Sequence, residues 1–212
     1  GAGDRLLMAE KFVPFSCEIS VLVCRGRDGE SITYPIGENK HEDSILKETR
    51  VPADISNHVK EAALEYGHQI SDLFSAVGIF CIEMFVTKNN QVLINEIAPR
   101  PHNSGHYSIE GAVTSQFENH IRAIAGLPLG NTDLIRPAVM RNILGTAPEG
   151  EAEVVGSEEV LSLDSTKLHV YGKRICRPGR KMAHVTATAK NIEEAAAKAK
   201  DASQEVTVNL ST

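Results

Sequence analysis

Residues 79–97 read Ile-Phe-Cys-Ile-Glu-Met-Phe-Val-Thr-Lys-Asn-Asn-Gln-Val-Leu-Ile-Asn-Glu-Ile. Two apolar runs flank a polar Thr-Lys-Asn-Asn stretch, a pattern that predicts a β-hairpin. Asn89-Asn90 tolerates the positive φ of a tight two-residue turn. With that turn, Glu83 and Glu96 become direct cross-strand neighbours, their Cβ atoms about 4.5–5.5 Å apart. Glu83 interrupts an otherwise apolar strand, and two facing carboxylates are costly unless something positive lies between them. A divalent cation resolves the conflict, and Mg²⁺ commonly takes one or two carboxylates plus substrate phosphates. The other reading is that one glutamate is salt-bridged or solvated on an exposed sheet face. The pairing depends on loop length, since one extra loop residue would destroy it.

Upstream of the hairpin, Cys17–Cys24 alternates as a strand and ends at a turn around Gly26–Gly29, with a second strand over Ser31–Pro35. Gly37–Arg50 is polar and reads as irregular. Val59, Ala63, Tyr66, Ile70, Leu73 and Val77 recur at three- and four-residue steps, which predicts an amphipathic helix. Ser56 or Asn57 can cap its start and Gly78 can end it.

Downstream, Ala98–Gly111 is a loop dense in Pro, His, Asn, Ser and Gly. It sets Arg100, His102, Asn103, Ser104 and His106 beside the carboxylate pair, and Gly105 would allow close approach to a ligand. Arginine suits bidentate recognition of carboxylate or phosphate. Taken alone, the loop could equally be polar surface. A helix follows, capped near Thr114 or Ser115, with Phe117, Ile121 and Ile124 on one face, and Gly126-Leu-Pro128 stops it.

From about Ile135 the texture changes to short strand candidates, Ala138–Leu144, Lys167–Tyr171 and Ala183–Ala189, before a closing helix over Ile192–Ala202. A domain boundary is therefore set near residue 134, giving domains 1–133 and 134–212. Lys173-Arg-Ile-Cys-Arg-Pro-Gly-Arg-Lys181 is strongly basic, with no acidic residue between Lys167 and Lys190. It is either an anion site or a solvated basic turn.

The chain has 212 residues, 42% hydrophobic and 24% charged, with 22 basic against 28 acidic side chains for a net charge of −6. That length buries a core without disulfides. The acidic balance argues against bulk binding to nucleic acid or anionic membrane. No apolar run reaches the roughly 18 residues of a membrane span, and Gly1-Ala-Gly-Asp-Arg shows no secretory signal. Cys17, Cys24, Cys81 and Cys176 lack metal-ligand spacing and read as reduced core thiols of a cytoplasmic protein.

Asn95-Glu-Ile-Ala-Pro-Arg-Pro-His-Asn-Ser-Gly-His106, Thr114-Ser-Gln-Phe-Glu118 and Arg122-Ala-Ile-Ala-Gly-Leu-Pro-Leu129 closely resemble the carboxyaminoimidazole ribonucleotide synthase family of ATP-grasp ligases. The resemblance runs from about Leu7 to His184. It implies an α+β fold: the large lobe of an ATP-grasp domain, an antiparallel sheet with flanking helices, followed by a small β-rich domain that completes the substrate site. It implies ATP and Mg²⁺ as cofactors, with bicarbonate and 5-aminoimidazole ribonucleotide as the other small molecules.

By the same resemblance, Ala9-Glu-Lys-Phe-Val-Pro-Phe15 is the adenine hinge: Glu10 accepts from the amino group and the backbone near Phe12 and Val13 pairs with the ring edge. Glu18 would bind the ribose hydroxyls, Asn95 would lie beside the phosphates, and Glu83 and Glu96 would hold the metal. Arg100, His102 and Asn103 match positions near bicarbonate and the carboxyphosphate intermediate. Lys173 and Arg180, with Arg177 and Lys181 alongside, would hold the ribonucleotide phosphate. Tyr34-Pro and Asn39-Lys-His41 also look like the family's, without roles for Tyr34 or His41. A formate-using ATP-grasp relative and a non-catalytic nucleotide-binding module are the alternatives. Nothing before Glu10 matches the family's amino-terminal domain and small lobe. The expectation is a carboxy-terminal portion, inactive alone, completed by an amino-terminal part in cis or trans, and homodimeric.

Overall fold

A computed structural model describes residues 8–146 and 148–210. Gly1–Gly3, at the start of the chain, lie outside the described residues. The strands are β1 (Phe15–Arg25), β2 (Ser31–Thr33), β3 (Gly37–Glu42), β4 (Ile45–Val51), β5 (Gly78–Thr87), β6 (Val92–Ala98), β7 (Ala138–Leu144), β8 (Gly150–Val155), β9 (Thr166–Val170), β10 (Ile175–Cys176), β11 (Lys181–Thr188) and β12 (Thr207–Leu210). The helices are α1 (Asn57–Phe74), α2 (Ser108–Gly111), α3 (Gln116–Ala125), α4 (Ser157–Ser162) and α5 (Ile192–Glu205). One sheet of nine strands runs in the order β6-β5-β1-β3-β4-β7-β11-β9, with β2 also on β1, and a second holds β10-β8-β12. Every strand pair among the described residues is antiparallel. This is the α+β architecture expected. The large sheet crosses residue 134 without a break, because β4 pairs with β7.

Alternation along β1 and β5 builds two cores. Ile19, Val21, Val23, Phe80, Ile82 and Met84 face α1 and meet Val59, Ala63 and Ile70. Leu22, Cys24 and Cys81 face the other way, towards Tyr107, Ala112 and Ala123 of the α2–α3 region. Further across the sheet, Val139 and Ala187 receive Ala195 and Ala199 of α5.

Caps follow the sequence at Ser56, whose side chain accepts from the Val59 N–H, and at Ser115, which accepts from the Glu118 N–H. The end of α1 does not. It closes at Ser75 in the left-handed region, four residues after the last buried position, Ser71. Gly78 instead opens β5 at φ 111°, where a Cβ would sit 2.8 Å from the His120 ring.

Gly37–Arg50 is not irregular. It is the hairpin β3–β4, turned by Asp43 and Ser44 at φ 51° and 60°. Its polar residues hid it. Asn39 and Thr49 bond to each other on one side, while Glu48 on the other meets Arg50, Lys40 and Arg141. The apolar stripe of α3 also behaves unexpectedly, since Phe117, Ile121 and Ile124 are exposed and the buried face carries Gln116, Asn119 and Ala123. β8, β10, β12 and α4 had no sequence expectation.

Candidate functional site

The face of the sheet that packs on α2 and α3 changes character along its strands. Leu22, Cys81 and Ala98 form a buried apolar row, and the next paired row on the same face is Ser20, Glu83 and Glu96. Glu83 and Glu96 are thus direct partners, as expected, but by a different route. Thr87 N–H donates to the Gln91 carbonyl, which makes the loop three residues long, Lys88–Asn90, with Asn90 at φ 60°. The register then shifts between Glu83 and Met84, where Asn95 is the extra residue on β6. A β-bulge inserts one unpaired residue, so it restores the pairing that the longer loop would have lost.

Glu83 is half-buried. Burial first, then Glu96 and Glu18, push its carboxyl above the ordinary range, against the pull of His41 and Lys181. His102 Nε2 stands 3.6 Å from Glu83 Oε1. Burial, then Arg100, Lys181 and His41, lower its imidazole to about 4. His41 Nδ1 lies 2.5 Å from Glu18 Oε2. Burial pushes Glu18 up and His41 down, so both charged forms are disfavoured. Ser20, in the same row, and Asn39, paired with Glu18, have a buried hydroxyl and amide nitrogen that find no partner in the protein.

The loop after β6 is locked from behind. Gln116, fully buried, accepts from the His102 N–H at 3.0 Å and donates to the His102 carbonyl at 2.8 Å. Its Nε2 also lies 3.0 Å from His106 Nδ1. His102 caps the short 3-10 turn Asn103–Gly105, and its Nδ1 lies 2.8 Å from Ser104 Oγ. Asn103 and Asn142 exchange two hydrogen bonds, of 3.0 and 2.6 Å. Gly105 is required by packing rather than by a ligand, since a Cβ there would meet Leu22 at 2.5 Å and Gln116 at 2.6 Å.

The basic stretch folds back over the same face. Burial lowers the Lys181 ammonium, with Lys173 and Arg100 adding to the shift and Glu83 opposing it. Lys173 Nζ donates to the Lys181 carbonyl at 2.5 Å, and burial, then Arg180 and Arg177, lower its ammonium too. Arg180 Nη1 donates to the Ile175 carbonyl at 2.6 Å. Residues 83, 100, 102 and 181, distant in sequence, therefore act on one another.

Glu10, Phe12 and Val13 lie before β1 without sheet pairing, and Phe12 is 83% exposed. With Lys11, Phe15, Phe85, Leu93, Ile94 and Asn95 they line a groove of about 240 Å³. Phe15 and Phe85 stack there with centroids 4.6 Å apart. Glu18 pairs with Phe85 at its inner end. Tyr34 is structural: fully buried, it donates to the Thr114 carbonyl and accepts from Asn119.

Side chains that the sequence did not single out as site residues are Ser20, Asn39, Gln116, Asn142, Tyr171 and His184. Only the alternation Asn39-Lys-His41, sending two polar side chains to one face, carried a usable signal.

The ATP-grasp domain family matches residues 1–117, and the phosphoribosylaminoimidazole carboxylase C-terminal domain family matches residues 138–198. N5-carboxyaminoimidazole ribonucleotide synthase of Bacillus subtilis is 44% identical over 177 residues, covering 84% of this chain and 45% of the relative. Phosphoribosylaminoimidazole carboxylase of Schizosaccharomyces pombe is 45% identical over 190 residues, covering 87% and 34%. Among solved structures, N5-carboxyaminoimidazole ribonucleotide synthetase of Thermotoga maritima superposes with a TM-score of 0.87 at 44% identity, over 95% of this chain and 55% of that one. The Aspergillus clavatus enzyme in complex with ADP and 5-aminoimidazole ribonucleotide gives 0.86 at 37% identity, over 95% and 54%. The chain spans about half the length of these synthases and synthetases.

Proposed function

This chain belongs to the ATP-grasp family, and on that premise we propose that it is the carboxy-terminal half of an enzyme that carboxylates the exocyclic amine of 5-aminoimidazole ribonucleotide, using ATP to activate bicarbonate. The observation that carries the reading is the meeting of the Glu83–Glu96 pair with Lys181 and the Arg100–Asn103 loop on one sheet face. The names of the similar proteins support it, one of them in complex with ADP and this ribonucleotide.

The carboxylate pair fits Mg²⁺. Glu83 and Glu96 face each other directly, and Glu83 is held above its ordinary range partly by its partner. No group of three or more ligating side chains occurs among the described residues. That suits a cation completed by substrate phosphates and water rather than by a protein cage. When bound, it would neutralise charge on the transferring phosphoryl group. Glu10, Phe12, Val13 and Asn95 form the wall that takes the nucleotide, with Glu18 at the ribose.

A bicarbonate oxygen attacks the γ-phosphorus and ADP departs, leaving carboxyphosphate. The ribonucleotide amine then attacks the carboxyl carbon, or the CO₂ released from it, and phosphate leaves. Arg100, His102 and Asn103 hold bicarbonate and the intermediate. Lys173 and Arg180, with Arg177 and Lys181 alongside, take the ribonucleotide phosphate. Catalysis here is mainly positioning and electrostatic stabilisation.

We take residue 134 as the boundary between the ATP-grasp lobe and the domain that completes the substrate site. The active enzyme is read as a homodimer, with exposed Phe117, Ile121 and Ile124 as an apolar surface for a second copy. It also requires an amino-terminal part in cis or trans. Its four free cysteines suit the cytoplasm. Calorimetry of Mg²⁺–ATP binding tests the core of the reading: Glu96→Gln should weaken binding about tenfold or more. Equal affinity for wild type and variant would refute the metal assignment. Bicarbonate- and ribonucleotide-dependent ATP hydrolysis by the chain alone would refute the need for a second part.

A further inference from the structure

Behind the His102 ring stands a chain of hydrogen bonds that the proposed chemistry does not use. Nδ1 accepts from the Ser104 backbone N–H at 3.3 Å. Ser104 Oγ lies 2.8 Å from the same nitrogen, and Cys81 Sγ lies 3.6 Å from that hydroxyl. Ser104 and Cys81 are fully buried. Gln116 holds the His102 backbone through both its N–H and its carbonyl.

The directions of these bonds follow from one of them. A backbone N–H can only donate, so Nδ1 carries a lone pair. A hydroxyl 2.8 Å from that lone pair donates to it as well, which leaves the Ser104 oxygen to accept the Cys81 thiol hydrogen. A hydrogen on Nδ1 would instead confront the hydrogen of the Ser104 N–H. With its lone pair at Nδ1, a neutral imidazole carries its hydrogen on Nε2. Nε2 is the nitrogen on the side of the carboxylate row, 3.6 Å from Glu83 Oε1.

We propose that Ser104 is a positioning residue: its hydroxyl and backbone N–H fix the tautomer of His102, so that the ring offers bicarbonate a hydrogen-bond donor at Nε2. The inference rests on the function proposed above and deepens its bicarbonate site. A lone pair at Nε2 would repel the oxygens of an anion, whereas an N–H there attracts them. Ser104 therefore acts on bicarbonate through His102, without touching it.

The chain with ¹⁵N-labelled histidine reports the tautomer by NMR, because a ring nitrogen bearing hydrogen and one bearing a lone pair resonate far apart. His102, identified by the signals missing in His102→Ala, should show hydrogen on Nε2 and a lone pair on Nδ1. Ser104→Ala removes the stronger of the two donors to Nδ1. It should raise the share of the Nδ1–H form about fivefold and move the two averaged ring resonances towards each other. With a complementing amino-terminal half, Ser104→Ala should also raise the bicarbonate KM about three- to tenfold, with the ATP KM within about twofold. Cys81→Ala opens a cavity in the adjoining core yet keeps the Ser104–His102 bond. Its bicarbonate KM should stay within about twofold, whatever it costs in urea denaturation.

Hydrogen on Nδ1 in wild type overturns the inference, as does a Ser104→Ala spectrum or bicarbonate KM like that of wild type. Equal rises in bicarbonate KM for Ser104→Ala and Cys81→Ala also overturn it, since both would then act through packing. If His102→Ala raises the bicarbonate KM while Ser104→Ala does not, only the inference fails and the proposed function stands. If His102→Ala leaves the bicarbonate KM unchanged, the assigned bicarbonate site fails and the inference with it.

Discussion

β1 is flanked by two hairpins, β5–β6 on one side and β3–β4 on the other, and they serve one site with opposite compositions. In β5, Phe80, Ile82, Met84 and Val86 share the face that packs against α1, and on the other face Glu83 interrupts the apolar series Ile79, Cys81 and Phe85. In β4, the residue turned away from the site is Glu48, a buried carboxylate ringed by Arg50, Arg141 and Lys40. Both hairpins carry one extra residue, Asn95 in β6 and Lys47 in β4. Bulges re-aim side chains, and here they lie next to Glu96 and across from His41. A central strand need not be apolar on its non-site face, provided the charges buried there are paired.

The sharpest break of this comparison is to hollow out one hairpin and uncharge the other. Ile82→Ala should cost about 3–4 kcal/mol by urea denaturation, through lost burial and a cavity. Glu48→Ala should cost about 2–3 kcal/mol, because it strands two arginines that still reach solvent at 32% and 28% exposure. A Glu48→Ala cost below about 0.5 kcal/mol would show that the ion cluster is surface decoration.

Gln116 secures the loop that follows β6, and Gln116→Ala leaves buried backbone groups of His102 unpaired, at about 1–3 kcal/mol. Activity with a complementing amino-terminal half should fall further than stability does.

The His cluster beyond β3–β4 adds a pH signature. Burial, then His106 and His169, lower the His184 imidazole to about 2. Its folded value is depressed, so its contribution is present above the unfolded value of about 6.5 and lost as pH falls below it. The slope from this residue is about 1 kcal/mol per pH unit. His184→Phe should flatten urea midpoints measured from pH 6.5 to 4. An unchanged slope would mean that this imidazole accepts a proton without penalty. The smallest effect is expected at the exposed pair Glu118–Arg122 on α3, where Arg122→Ala should cost under about 0.5 kcal/mol.

The same contrast explains what sequence revealed. β5–β6 announced itself because its apolar runs are long, whereas β3–β4 has the residues of a loop and the hydrogen bonds of a sheet. The Glu83–Glu96 pairing was legible although both of its local premises needed revision: the loop is one residue longer, and the bulge at Asn95 compensates. On α3, periodicity found the apolar stripe but not its direction, because Gln116 and Asn119 are buried by their hydrogen bonds rather than by hydrophobicity. Gln116, Asn142, Tyr171 and His184 gain their importance only from neighbours 14, 39 and 13 residues away.

The pairing of β4 with β7 has a mechanical consequence. Three residues of each strand beyond Glu48 and Arg141 stay in register, Thr49 with Met140, Arg50 with Val139 and Val51 with Ala138. Backbone hydrogen bonds thus rivet the strands carrying the carboxylates to those leading into the basic stretch. Bending at residue 134 would have to shear a ladder in the middle of a sheet. The carboxylate end and the basic end are therefore one stiff palm that keeps its span fixed, and unfolding should run through it as a single cooperative event.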